Sequence, residues 1–181
     1  MKGKLFNAGL VPVLLVILSG VLPVLALSPA TRDYLTPKEE EQVKEAQVLD
    51  KRIEVFIKAA ERRLLLLTDR NATSSKQVQK DLEKWGELPT GTRAELIMDI
   101  ANILDAAITN IDDVAVRDEH NGLLPKALRK LADAATRFQA QLTSMREQFQ
   151  EGPERSALEQ VMENAQEILE AANKLSAPEK K

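Results

Sequence analysis

The sequence predicts an all-α protein: an antiparallel bundle of four long helices with one short accessory helix. Three observations carry this expectation. Apolar residues recur at three- and four-residue intervals along most of the chain, and the breaks between these runs hold Gly, Pro and Asn. No stretch carries the alternating pattern of a half-buried strand. The core should be aliphatic, because aromatic residues are 3% of the 181 residues and hydrophobic residues 44%.

Residues 1–26 read as a secretory signal peptide. Lys2 and Lys4 form a basic start, Leu10 to Val24 an apolar stretch, and Val24-Leu25-Ala26 a cleavage site ending in a small residue. Pro23 disfavours helix just ahead of the scissile bond. Cleavage near Ala26 would leave a mature chain in the periplasm or outside the cell. The alternative is a retained membrane anchor, since Leu10 to Leu27 is 18 residues without a charge. That length is marginal for a hydrocarbon core of ~30 Å, and Pro12, Gly20 and Pro23 weaken it.

Residues 27–35 form an extended lead, and residues 36–175 the helical domain. Thr36-Pro37-Lys38-Glu39 opens the first helix, with Thr36 as cap, Pro37 at the first position and Glu39 closing a capping box. Ala46, Leu49, Ile53, Phe56, Ala60 and Leu67 then continue one stripe to about Thr68, which predicts a single long helix. Arg63 falls in that stripe where a hydrophobe would fit. A second partial stripe runs through Val48, Val55, Ala59 and Leu66. The short helix, from about Ser75 to Trp85, stops at Gly86 and is expected to fold back over this second stripe.

Thr92-Arg93-Ala94-Glu95 is another capping box, opening a helix with Ile97, Ile100, Leu104, Ala107, Ile111 and Val114 on one face. Asn121-Gly122 ends that segment and Pro125 fits the first turn of the next. Leu124, Leu128, Leu131, Ala135, Phe138, Leu142, Met145 and Phe149 follow the helical period without a miss. Gly152-Pro153 begins the last helix, whose inner face is read as Leu158, Met162, Ala165, Leu169, Ala172 and Leu175. Residues 176–181 are a polar tail expected to fray.

Composition narrows the function. The formal charge is −3, and removing Lys2 and Lys4 with the leader makes it −5, a balance that repels phosphate backbones. With one Trp, one Tyr and four Phe there is little to stack bases on, so nucleic-acid binding is not expected. The absence of Cys removes disulfides, thiolate metal sites, lipoprotein anchoring and a thiol nucleophile. No cofactor is implied: Met145 and Met162 lie on inner faces without a His beside them, and packing accounts for both.

His120 is the only histidine and sits in Asp118-Glu119-His120, after Asp112 and Asp113. These are the residues that would hold a divalent cation, but their spacing matches neither a calcium loop nor the Glu-x-x-His pairs of di-iron bundles. A nucleophilic triad would need this same His, and no nucleophile elbow accompanies it, so no catalytic residue is assigned and the chain is read as non-enzymatic. Arg63 with Leu64, Leu65, Leu66 and Leu67 is the candidate surface for a protein partner or a second copy of the chain. Coverage by the short helix is the competing account. A membrane is a partner only if Leu10 to Leu27 stays attached.

Leu35-Thr36-Pro37-Lys38-Glu39 and the three residues after it resemble the Leu-Thr-x-x-Gln signature of periplasmic, all-helical stress chaperones and metal-resistance proteins. Glu39 stands where that signature has Gln, and the second Leu-Thr, Leu142-Thr143, continues Ser144-Met145-Arg146. The likeness covers eight residues and implies, as an alternative function, a chaperone-like or metal-responsive envelope factor. As a whole, a signal peptide followed by Tyr34-Leu35-Thr36-Pro37-Lys38-Glu39-Glu40 and a Leu-rich helix resembles a group of uncharacterised exported bacterial all-helical proteins. That resemblance implies export and helical fold, and no site residues. The leading expectation is an exported helical protein that acts through protein contacts or self-association.

Overall fold

The computed structural model describes residues 33–69, 71–74, 76–149 and 152–176, all within one compact unit, Asp33–Lys181. The expected signal peptide, most of the expected lead and most of the expected tail lie outside the described residues. Among the described residues every regular element is helical: α1 (Pro37–Glu45), α2 (Leu49–Thr68), α3 (Lys76–Trp85), α4 (Arg93–Arg117), α5 (Leu124–Ser144) and α6 (Pro153–Ser176). Short 3-10 turns stand at Ala72–Ser74 and Arg146–Gln148. None of these helices is long and apolar enough to cross a membrane.

Both capping boxes form as expected. Thr36 Oγ1 accepts from Glu39 N at 3.3 Å while Glu39 Oε2 accepts from Thr36 N at 2.9 Å, and Thr92 and Glu95 repeat the arrangement. Each satisfies two donors that a bare helix start would leave to water.

The single first helix is a correction: it breaks at Ala46-Gln47-Val48 into α1 and α2. Neither Gly nor Pro lies at the break, so local propensity does not cause it. Side chains stabilise it instead. Gln47 Nε2 donates to Lys44 O at 2.5 Å and Arg52 Nε to Ala46 O at 2.9 Å, occupying carbonyls that a continuous helix would bond itself. The bend turns α1 back along α2, bringing Glu39 to Arg63. Tyr34 and Leu35, the end of the expected lead, pack half-buried against the core.

Around the core the long helices run in the order α2, α4, α6, α5, with α4 and α5 also touching across the diagonal. Cross-helix contacts give their directions. Arg52 reaches Asn110 and Arg63 faces Asp99, so α2 and α4 are antiparallel. Gln139 reaches Met162 O, in a pair of antiparallel helices whose far end joins Leu128 to Ala172. Asp50 meets Lys126 and Glu61 meets Arg137, so α2 and α5 are parallel. Arg93 with Glu154, and Asn164 with Ala101 O, make α4 and α6 parallel too. Chain-successive long helices still alternate in direction, but half of the neighbouring pairs do not. The all-α class is as expected; the antiparallel relation holds along the chain but not for the neighbours α2–α5 and α4–α6, because the connection 118–123 crosses the diagonal.

The interior is aliphatic, as composition implied. Ile53, Phe56 and Ala60 of α2 and Ile97, Ile100 and Leu104 of α4 are all buried in one core cluster. The α5 stripe is buried as read, through Met145 and Phe149, although the helix itself stops at Ser144 and a 3-10 turn carries Phe149 inward. The α6 face is rotated by about one position from the reading. Leu158 and Ala165 are buried as read, but Val161 and Ile168 are fully buried beside them, while Met162, Leu169 and Ala172 are only partly buried and Leu175 is exposed. Neighbouring apolar positions on α6 left two rotations open, and packing against α4 and α5 chose between them.

Candidate functional site

Where α1, α2, α3 and α4 meet, four charged side chains are buried together: Glu39, Arg62, Arg63 and Asp99. The α1 capping box sets the position of Glu39. Its second oxygen, Oε1, accepts from Arg63 Nη1 at 2.7 Å and lies 3.3 Å from Arg62 Nε. Asp99 Oδ2 lies 3.7 Å from Arg63 Nε. These last two contacts have ion-pair distance without hydrogen-bond alignment, since neither Nε makes a hydrogen bond. Two cations face two anions, which is the condition under which such burial is tolerated.

Backbone carbonyls complete the cluster. Arg63 donates to Ala59 O at 2.9 Å and to Tyr34 O at 2.7 Å, tying the incoming chain to the bundle. Arg62 donates to Trp85 O at 2.5 Å, to Gly86 O at 3.0 Å and to Glu87 O. It therefore caps the negative end of the α3 dipole with a full positive charge. Burial pulls the Arg62 guanidinium below its ordinary pKa, and the nearby Glu39 carboxylate opposes that shift. Gly86 is required here on two counts. Its φ is +66°, and a Cβ would stand 3.2 Å from Lys38 Cβ.

A second cluster lies between α2 and α5. Asp50 accepts from Lys126 at 2.7 Å and Lys130 at 2.9 Å, and Lys130 also binds Glu54. These hydrogen bonds hold the Asp50 carboxyl at about 2, below the ordinary 3.8. Glu54 is lowered by Lys130 and Lys51, and Lys130 is raised by Glu54 and Asp50.

The anticipated site residues are not brought together. Arg63 is only 1% exposed, Leu64 and Leu67 are buried, and Leu65 and Leu66 are half-buried, facing different hollows. The contiguous leucine surface expected for a partner is therefore absent, because helical rotation divides the run between the core and two grooves. The groove at Leu65 has a volume of about 200 Å³ and lies between α2 and α3. Lys58 closes its rim through Asp81 at 3.0 Å. Here α3 covers Lys58, Arg62 and Leu65 rather than the second stripe, and Val48 of that stripe stays 49% exposed.

Asp118, Glu119 and His120 stand on the exposed turn after α4. His120 Nε2 is 3.5 Å from Glu119 Oε1, with those side chains 90% and 81% exposed, while Asp118 accepts from Asn121. Among the described residues no three His, Cys, Asp or Glu side chains converge as a metal site would require.

Sequence reasoning missed Glu39, Arg62 and Asp99 as buried charges. A usable signal was present for part of it. Arg63 interrupts the α2 stripe, and Asp99 falls between Leu96 and Ile103 at helical spacing, on a flank of the α4 stripe; two opposite charges among apolar positions need each other. Compared with family models, curated proteins and solved structures, the chain matches none.

Proposed function

We propose that this is a non-enzymatic extracytoplasmic protein whose work is done by contacts of its helical surfaces with another protein or with a second copy of itself. The observation that carries this reading is the assignment of its buried charges. Glu39, Arg62, Arg63 and Asp99 join α1 and α3 to the bundle, and Asp50 joins α5 to α2. Each is occupied in holding one helix on another, within an otherwise aliphatic interior. A catalytic centre instead needs polar groups held ready for a substrate in a cleft. The basic and apolar stretches of residues 1–26 support export.

The test is site-directed photo-crosslinking in cells, with the reactive group at Leu82, an exposed apolar residue of α3, or at Val116, an exposed residue of α4. Discrete adducts of higher mass in the envelope fraction, and a mature N-terminus at Leu27, are expected. A protein recovered only from the cytosol, with its first residues intact and no adduct from either position, would overturn the reading.

A further inference from the structure

The bend between α1 and α2 is a break without a breaker. Ala46 and Gln47 are good helix formers, and the apolar stripe continues across them from Ala46 to Leu49 and Ile53. Yet Ala46 has φ −76° and ψ 83°, and Val48 is extended at φ −89° and ψ 128°. The helix bonds that the N–H groups of Gln47, Val48, Leu49 and Asp50 would make in a continuous helix are absent among the described residues. Val48 caps α2 without any side-chain hydrogen bond. Local energetics thus favour the straight helix, and the bend is maintained from outside by Gln47 on Lys44 O, Arg52 on Ala46 O and Glu39 on the two arginines.

What α1 gains by folding back comes largely from α2. Its one fully buried side chain is Glu39, whose partners Arg62 and Arg63 are on α2. A second copy of the chain presents the same arginines, so every one of these bonds can re-form between two molecules. The register permits it. Glu39 lies level with Arg63 and Ala46 with Arg52, so α1 runs antiparallel to α2 about a centre near residues 49–51. Two straightened α1–α2 helices, paired antiparallel in that register, are related by a two-fold axis at that centre. Val48, exposed in the bent form, falls within one turn of the axis.

We propose that Ala46-Gln47-Val48 is a hinge. When it straightens, α1 and α2 join into one helix spanning Pro37 to Thr68, and α1 docks on the Arg62–Arg63 face of a second copy, giving a helix-swapped dimer. This deepens the self-association side of the reading above and rests on it. The hinge sets the balance: bent favours the monomer, straight the dimer.

The chain contains no Cys, so spin labels can be placed cleanly. Glu41 and Thr68 are exposed and outside the buried cluster. Between Glu41→Cys and Thr68→Cys labels the backbone separation is about 15 Å in the bent form and about 40 Å along a straight helix. Mixing singly labelled full-length chains, warmed to permit exchange, is expected to give the distance of about 15 Å between molecules, growing with concentration. Doubly labelled chains diluted into unlabelled protein should show the long distance within the molecule.

Val48→Pro fits the extended cap and forbids the straight helix, so it should abolish the intermolecular signal. Gln47→Ala/Val48→Ala/Arg52→Ala should raise it severalfold over the unsubstituted chain at equal concentration. Arg52→Ala alone carries the same sign if the triple variant does not fold. Only the short intramolecular distance in every folded variant, at all concentrations, would overturn the hinge. Oligomers that form with that intramolecular distance retained would also overturn it, while leaving self-association through another face standing. Absence of any oligomer would remove self-association as well.

Discussion

Lys126 stands to Asp50 as Arg137 stands to Glu61. Both pairs join α5 to α2, at 2.7 and 3.1 Å, and Lys130 joins Glu54 between them. The separation along the chain is 76 residues at Lys130–Glu54 and again at Arg137–Glu61. The acids of α2 and the bases of α5 therefore share one spacing and meet in parallel register. Reversing one helix would still let Asp50 face Arg137 and Glu61 face Lys126, but would put Glu54 three residues out of register with Lys130, so the row favours the parallel pairing through the Lys130–Glu54 contact.

The acid end of the stability profile should reveal this row. Because the folded Asp50 carboxyl is held at about 2, below 3.8, its contribution is complete above pH 4 and is lost as pH falls through about 2. Asp50→Asn should flatten the dependence of the urea midpoint on pH in that window and leave its slope above pH 5 unchanged. An equal acid-induced loss in the variant would show that Asp50 is not responsible.

The buried cluster should respond asymmetrically to substitution. Arg63→Met leaves Glu39 and Asp99 buried beside one cation, and should destabilise by about 3–5 kcal/mol. Replacing Arg63 and Asp99 together with Met and Leu leaves one cation, Arg62, beside one anion, Glu39, and removes the mismatch. The double variant should recover most of that loss in urea unfolding, which an additive scheme forbids.

Trp85, the sole tryptophan, reports on Arg62. Its ring is buried, its carbonyl accepts from Arg62 Nη1, and the guanidinium lies 6.0 Å from the ring centroid. Arg62→Ala should red-shift Trp85 emission and increase quenching by acrylamide while far-UV circular dichroism changes little. An unchanged spectrum would mean that α3 stays docked by other contacts.

Gly86→Ala should lower stability by about 1 kcal/mol or more, since the residue is held at φ +66° and its new methyl presses Lys38. The loss should appear in the same Trp85 signal.

Divalent cations should leave the melting temperature unchanged to within a degree. His120 and Glu119 are a solvated pair, and Asp118 is engaged with Asn121. A rise in melting temperature with Zn²⁺, lost in His120→Ala, would instead support the metal-responsive alternative.

Sequence alone settled that the protein is helical, where α1, α4, α5 and α6 start, and which face of α5 is inward. These are local matters. A capping box is closed within four residues, and a stripe with one unambiguous period has one inward face. Only the tertiary structure decided that α1 and α2 are two helices, that α5 lies parallel to α2, and that Arg63 is a buried charge rather than part of a surface. The physical reason is common to all three. Each depends at least in part on a side chain finding a partner 24 to 80 residues away, as Arg63 finds Glu39 and Lys130 finds Asp50, the bend drawing also on Gln47 at Lys44 O and Arg52 at Ala46 O. Such a pairing has no trace in the periodicity of either segment alone, even where, as at Arg63, the interruption that demands a partner is visible.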